Sequence, residues 1–281
     1  MSCHEGHLRK MQVTLPPASA ESVSPVQYQL PLDDQLVPLN DCLGQVVRIQ
    51  SSGTIHCAHC GRRSNKSFNQ GYCYPCFRKL AQCDICIVSP EKCHYDQGTC
   101  REPEWGEQHC MVDHIVYLAN SSGIKVGITR ESQLPTRWID QGAVQALPIF
   151  RVKTRQQSGL VEDALRQHVA DKTNWRTMLK GDIAAVDLQT MRDTLYDQCK
   201  KELTQLEAQF GIQAFQRIDN VEPLDIEYPV LEYPTKITSH NMDKTPLVEG
   251  QLMGIKGQYL ILDTGVINIR KYTAYHVEVS L

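Results

Sequence analysis

The stretch IVYLANSSGIKVGIT, residues 115–129, carries the clearest fold signal in the chain. Its two ends are rich in β-branched and apolar residues, and Asn120-Ser121-Ser122-Gly123 between them supplies turn chemistry. The segment therefore reads as two strands joined by a tight hairpin. Downstream, residues 135–141 read as a short helix carrying Arg137 and Trp138, residues 146–152 as an apolar strand, and residues 156–169 as a second helix. In that helix Leu160, Val161, Ala164, Leu165, His168 and Val169 line one broad side. The order strand-strand-helix-strand-helix predicts a compact α+β unit over residues 115–181.

Upstream of this unit lies a cysteine block, residues 56–114. Nine of the twelve cysteines fall between Cys57 and Cys110, which reads as metal ligation ahead of disulfides in a reducing compartment. Cys57-Ala-His-Cys60 is followed after twelve residues, the first of them Gly61, by Cys73-Tyr-Pro-Cys76. A Cys-x2-Cys turn lets two thiolates point at one ion, and two such turns complete a closed tetrahedral zinc site of the zinc-ribbon type. A closed site leaves no open position, so this zinc is expected to hold structure and perform no chemistry. Residues 57–83 also carry Arg62, Arg63, Lys66, Arg78 and Lys79 with no acid, interleaved with Tyr72, Tyr74 and Phe77. That mixture suits phosphate contacts and base stacking. A second set follows: Cys83-Asp-Ile-Cys86, then Cys93, His94, Cys100 and Cys110. The leading expectation is a second zinc on Cys83, Cys86 and two of the other four, with an iron–sulfur cluster as the alternative.

The remaining segments are β-rich or helical. Residues 1–55 contain a Pro/Ser-rich start and short strand-like runs, and residues 219–281 read as a small β-rich domain with Gly turns. Between them, residues 182–218 hold a helical stretch in which Leu188, Met191, Leu195, Cys199, Leu203, Leu206 and Phe210 recur every three or four positions, predicting one amphipathic helix. Residues 115–181 carry ten Lys/Arg against five Asp/Glu, whereas residues 182–281 carry nine against fifteen. A basic middle therefore sits inside a chain of net charge −3. No signal peptide and no run of about 18 apolar residues is present, so a cytoplasmic protein without membrane contact is expected.

The order Tyr117, then Lys125-Val126-Gly127-Ile128-Thr129, then Arg137, then Glu162 in the second helix resembles the GIY-YIG nuclease superfamily. The resemblance covers about residues 115–175. The whole chain also resembles an uncharacterised bacterial family that joins a cysteine-rich module to such a core. The nuclease resemblance implies a phosphodiester-hydrolysing site. In it Tyr117 would position the attacking water, Arg137 would hold the scissile phosphate through its planar fork, and Glu162 would carry one Mg²⁺ or Mn²⁺. Asn174 lies near the superfamily's late asparagine. Lys125 replaces the tyrosine that the superfamily uses as a general base. A lysine is ordinarily protonated at neutral pH, and so suits holding phosphate better than abstracting a proton. The expectation is accordingly a zinc-containing nucleic-acid-binding protein, DNA or RNA, with nuclease activity second. A zinc-organised scaffold that binds protein through its acidic C-terminal part is a further alternative.

Overall fold

The computed structural model describes residues 2–17, 24–169 and 172–281. Residues 18–23 of the Pro/Ser-rich start lie outside the described residues. The chain is α+β and divides into two compact units. One comprises Met1–Arg78, Leu179–Gly181 and Ile226–Leu281, and the other Lys79–Met178 and Asp182–Asp225.

The first unit is built on antiparallel strands. In spatial order, Cys3–His7, Tyr275–Ser280, Val46–His56, Leu247–Lys256, Tyr259–Leu262 and Gly265–Asn268 lie side by side, and Arg63–Ser64 pairs with Val46–His56. Strand Val46–His56 buries Val47, Ile49, Ser51 and Ile55 while exposing Val46, Arg48 and Ser52. This period of two is the mark of a half-buried antiparallel strand. Its neighbours come from the far end of the chain, with Ser51 opposite Val277 and Ile49 opposite Val248. The β-rich stretches at the two ends of the sequence thus share one sheet. Gly254 sits where the pairing register shifts, and a Cβ there would lie 2.8 Å from the Val230 methyls, so a side chain does not fit. A second, three-stranded sheet is formed by Gln12–Thr14, Gln27–Leu32 and Gln35–Pro38.

The second unit has the sheet order Phe215–Arg217, Gln145–Val152, His114–Asn120, Ile124–Arg130, with Leu224–Asp225 added to Gln145–Val152. The hairpin forms as its sequence predicts, pairing Tyr117 with Gly127 and Ala119 with Lys125. Every residue of His114–Asn120 is buried, which explains its continuous apolar run. Val116, Leu118, Val126, Leu147 and Phe150 of the sheet form one cluster with Val161, Leu165, Leu188, Leu195 and Leu203 of the helices. Each such side chain contributes about 1.5–3 kcal/mol on burial. The helix Arg155–Leu165 starts at a capping box, in which the Thr154 side chain accepts from the Gln157 N–H and the Gln157 side chain accepts in return. Where the apolar period predicts a single helix over residues 188–210, two are found, Leu188–Gln198 and Lys200–Phe210. The break falls at Cys199, which is fully buried and donates its thiol to the Ala164 carbonyl at 3.7 Å. The apolar stripe continues through this residue, so its spacing carries no sign of the break. Among the described residues, no helix is long and apolar enough to cross a membrane.

Candidate functional site

Three side-chain constellations stand out, one in the first unit and two in the second. In the first unit, the ligand atoms of Cys57, Cys60, Cys73 and Cys76 all lie within 4.8 Å of one another. The Cys60 and Cys73 sulfurs are 3.7 Å apart. Four sulfurs placed about 2.3 Å from a central zinc would be separated by nearly that distance. The first pair sits on a knuckle that follows strand Val46–His56: the Cys57 N–H donates to Arg62 O and the Gly61 N–H to Cys57 O, both at 2.9 Å. Gly61 takes φ +67°, the left-handed turn that glycine adopts without strain. The second pair flanks the start of helix Tyr74–Lys79, and the Ala58 N–H donates to Gly71 O at 2.7 Å, tying the two knuckles together. Burial pushes the Cys57 thiol up, but N–H groups of Cys60, Cys73 and His59 outweigh it, leaving the pKa at about 6. A thiolate is thus favoured at neutral pH, the form that ligates metal. This four-cysteine cluster could hold a metal such as zinc. Around it, Arg62, Arg63, Lys66, Tyr74, Arg78 and Lys79 are exposed. Phe68 stacks on Phe77 with centroids 5.8 Å apart, and Lys66 Nζ lies 5.4 Å from the Phe68 ring. Tyr74 also meets Phe68, with centroids 5.5 Å apart, so Phe77 and the half-exposed Tyr74 both belong to a small aromatic cluster.

In the second unit, Cys86, Cys93, Cys100 and Cys110 line one cavity together with Asp84, Tyr95, Trp105 and Gly106. Cys83 is buried but is not part of that lining. Asp84, Cys86 and His94 also offer ligand atoms within 4.8 Å of one another. Asp84 and His94 are engaged elsewhere, however. Arg101 Nε donates to Asp84 Oδ2 at 2.7 Å, the Ile85 N–H donates to Asp84 Oδ1 at 2.6 Å, and His94 pairs with both Asp84 and Thr99 Oγ1. The segment joins the helix Arg155–Leu165 at several points, and the Arg155 N–H donates to Cys110 O at 2.8 Å. Arg155 Nη2 donates to Ile87 O at 2.6 Å, Gln156 Nε2 donates to Cys93 O at 3.1 Å, and Gly159 meets Pro90 so closely that a Cβ would lie 2.5 Å from it. His109 stacks on Trp105, and His114 is buried with Nδ1 on Val112 O at 2.7 Å. Burial lowers the His114 pKa to about 4, so the ring is neutral at physiological pH.

The third constellation gathers the residues that the hairpin and its helices bring together. The Tyr117 hydroxyl donates to Gln141 Oε1 at 2.9 Å, and Lys125 Nζ donates to the same oxygen at 2.6 Å. Both donors are buried. Gly127, opposite Tyr117, leaves room for its ring: a Cβ there would lie 2.7 Å from the phenol oxygen. Trp138 packs edge-on against Tyr117 at 5.9 Å. Burial raises the Tyr117 pKa, Arg137 opposes the rise, and Glu162 and Asp140 add to it, so these charges stand around one hydroxyl. Tyr117, Lys125, Arg137 and Glu162, from two strands and two helices, are thus near neighbours. Gln141 was not singled out from sequence. Its position four residues after Arg137, at the end of helix Thr136–Asp140, carries no local sign of this role. Asn174 caps helix Trp175–Lys180, its side-chain oxygen accepting from the N–H groups of Arg176 and Thr177.

No curated protein and no solved structure matches the chain. One family model does, over residues 44–277, and its span takes in both four-cysteine sets together with the whole Tyr117 constellation. The chain belongs to that family, which is described as Protein of unknown function (DUF2797).

Proposed function

We propose that this protein binds nucleic acid through the sugar–phosphate backbone, using the Tyr117, Lys125, Arg137 and Glu162 constellation as its phosphate site. The observation that carries the reading is the convergence of Tyr117 and Lys125 on Gln141 Oε1, with Arg137 and Glu162 beside them. The resemblance of this order of residues to the GIY-YIG superfamily supports the same assignment. Arg137 presents a planar fork that fits two phosphate oxygens, and Lys125 adds a compact positive charge. Gln141 accepts from both Tyr117 and Lys125, which fixes their tips before any ligand arrives. The exposed Arg62, Arg63, Lys66, Arg78 and Lys79 beside the half-exposed Tyr74 are a second surface of suitable chemistry, organised by the metal on Cys57, Cys60, Cys73 and Cys76.

Glu162 favours a second reading, divalent-metal-dependent endonuclease activity. A carboxylate close enough for its charge to act on the Tyr117 hydroxyl is the kind of donor that Mg²⁺ or Mn²⁺ needs, with water and substrate oxygens completing the shell. The bound ion would neutralise charge at the phosphate. Tyr117 would orient the water, and Lys125 would serve as a cation. The experiment is a cleavage assay on labelled single- and double-stranded DNA and RNA with Mg²⁺ or Mn²⁺, run beside Glu162→Ala. Binding without cleavage in both proteins supports the phosphate-binding reading alone. Cleavage that disappears in Glu162→Ala while binding persists establishes the nuclease. Neither binding nor cleavage removes both readings and directs attention to a protein partner of the acidic C-terminal part.

A further inference from the structure

The segment Leu80–Cys110 has an unusual build for a part of a folded core. It contains four 3₁₀ turns, Ala81–Cys83, Ile85–Ile87, Pro90–Lys92 and Tyr95–Gln97, and one seven-residue helix, Pro103–His109, with no strand. Such short pieces have little regular hydrogen bonding to hold them, and a cross-link through the middle is the usual remedy in small irregular folds. The cavity supplies the place for one. Four cysteine side chains from four different turns or loops face it, all as free thiols, and its other walls are Ala81, Ile87, Tyr95, Trp105 and Gly106 with the carboxylate of Asp84.

The two non-sulfur donors nearby are already committed. Asp84 holds Arg101 and caps the turn Ile85–Ile87, and His94 spends both ring nitrogens on Asp84 and Thr99. Removing them from the donor set leaves sulfur alone. The intervals between Cys86, Cys93, Cys100 and Cys110 are six, six and nine residues. These are long compared with the Cys-x2-Cys knuckles of the first unit, and among the described residues these four sulfurs do not form a group within 4.8 Å of one another as the first four do. The surroundings also favour an anionic occupant. Arg155 Nε is buried without a hydrogen-bond partner, and the Arg155 guanidinium is near enough to Cys86 and Cys110 for their charges to act on it. Four thiolates around a cluster of iron and sulfide carry net negative charge, which a buried guanidinium offsets.

We propose that Cys86, Cys93, Cys100 and Cys110 hold an iron–sulfur cluster in this cavity, with Cys83, Asp84 and His94 outside its ligand set. The cluster is then the cross-link of the segment, and through Ile87, Pro90 and Cys93 it braces the first turns of helix Arg155–Leu165. This assignment stands independently of what the Tyr117 constellation binds.

The test is elemental analysis of full-length protein purified without oxygen, before and after supply of ferrous iron and sulfide. Expected are iron and acid-labile sulfide in equal amounts beside one zinc per chain, with the visible charge-transfer absorption of a thiolate-bound cluster. Cys100→Ser should lose the iron and sulfide and keep the zinc, whereas Cys83→Ser should keep all three. Two zinc ions per chain with no sulfide taken up would overturn the proposal. So would loss of the cluster in Cys83→Ser together with its retention in Cys100→Ser. The wild-type analysis decides the metal even if a variant fails to fold.

Discussion

The two cysteine sets use the same side chain in opposite architectural roles. In the first unit the four sulfurs close on one another within 4.8 Å, and their knuckles follow strand Val46–His56, whose alternating face supplies a core of its own. In the second unit the four sulfurs ring a cavity, and the loop that carries them is tied to the helix bearing Glu162. The difference shows that ligand count alone does not describe a metal site. What the coordinating segment is attached to decides whether losing the ion costs a peripheral knuckle or reaches the neighbouring site.

The most damaging way to probe this contrast is Cys73→Ser. Cys73 is buried within the closed set, and its loss should abolish high-affinity metal binding there, with metal content falling by one equivalent. The sheet around Val46–His56 should persist, so the circular-dichroism signal of the strands should change little. Unfolding of the whole first unit on metal removal would break the distinction drawn above.

Acid should act on the second unit. His114 opens its fully buried central strand, and its folded pKa of about 4 lies below the ordinary value of 6.5. The unfolded chain binds the proton first as pH falls, so the stability that this neutral ring contributes is complete above about pH 6.5. It is lost progressively down to about pH 4. The loss reaches about 3 kcal/mol, because each pKa unit between the two states is worth about 1.4 kcal/mol. Denaturant titrations at a series of pH values measure it, and His114→Gln should flatten the profile over that window.

Smaller substitutions address the joint between loop and helix. Gly159→Ala places a Cβ 2.5 Å from Pro90 and 2.7 Å from the Glu91 backbone nitrogen, which cannot swing aside as a flexible side chain would. Overpacking of this kind costs about 1–3 kcal/mol, and hydrogen exchange should rise in both Leu80–Cys110 and Arg155–Leu165 if the two move together. Exchange confined to the helix would contradict the brace. Thr154→Ala removes the cap at the start of the same helix and should cost about 1 kcal/mol in thermal or denaturant unfolding, with metal content unchanged.

The hairpin of the second unit and the four-cysteine cluster of the first were legible in the sequence. The turn Asn-Ser-Ser-Gly between two β-branched runs specified the hairpin, and the Cys-x2-Cys spacing specified the closed cysteine set, because both are local patterns with few physical solutions. Three features were not. The pairing of Val46–His56 with strands from residues 247–256 and 275–280 is non-local, and a period of two says that a strand has a buried face without saying which partner covers its edge. The break at Cys199 preserves the apolar stripe that would have betrayed it. In the second cysteine set the Cys83–Cys86 spacing looks like a knuckle, yet the cavity takes Cys86 and leaves Cys83 outside, a choice made by tertiary packing. Gln141 belongs to the same class, since only the folded hairpin shows that Tyr117 and Lys125 share its side-chain oxygen.

The central claim is that the Tyr117 constellation grips phosphate, and the most direct measurement is fluorescence anisotropy of a labelled oligonucleotide against salt concentration, for wild type and Arg137→Ala. Phosphate contacts release counterions, so wild-type affinity should fall linearly on a log–log plot. Arg137→Ala should bind more weakly, with a slope shallower by about one. Affinity that is indifferent to both salt and Arg137 would contradict the account.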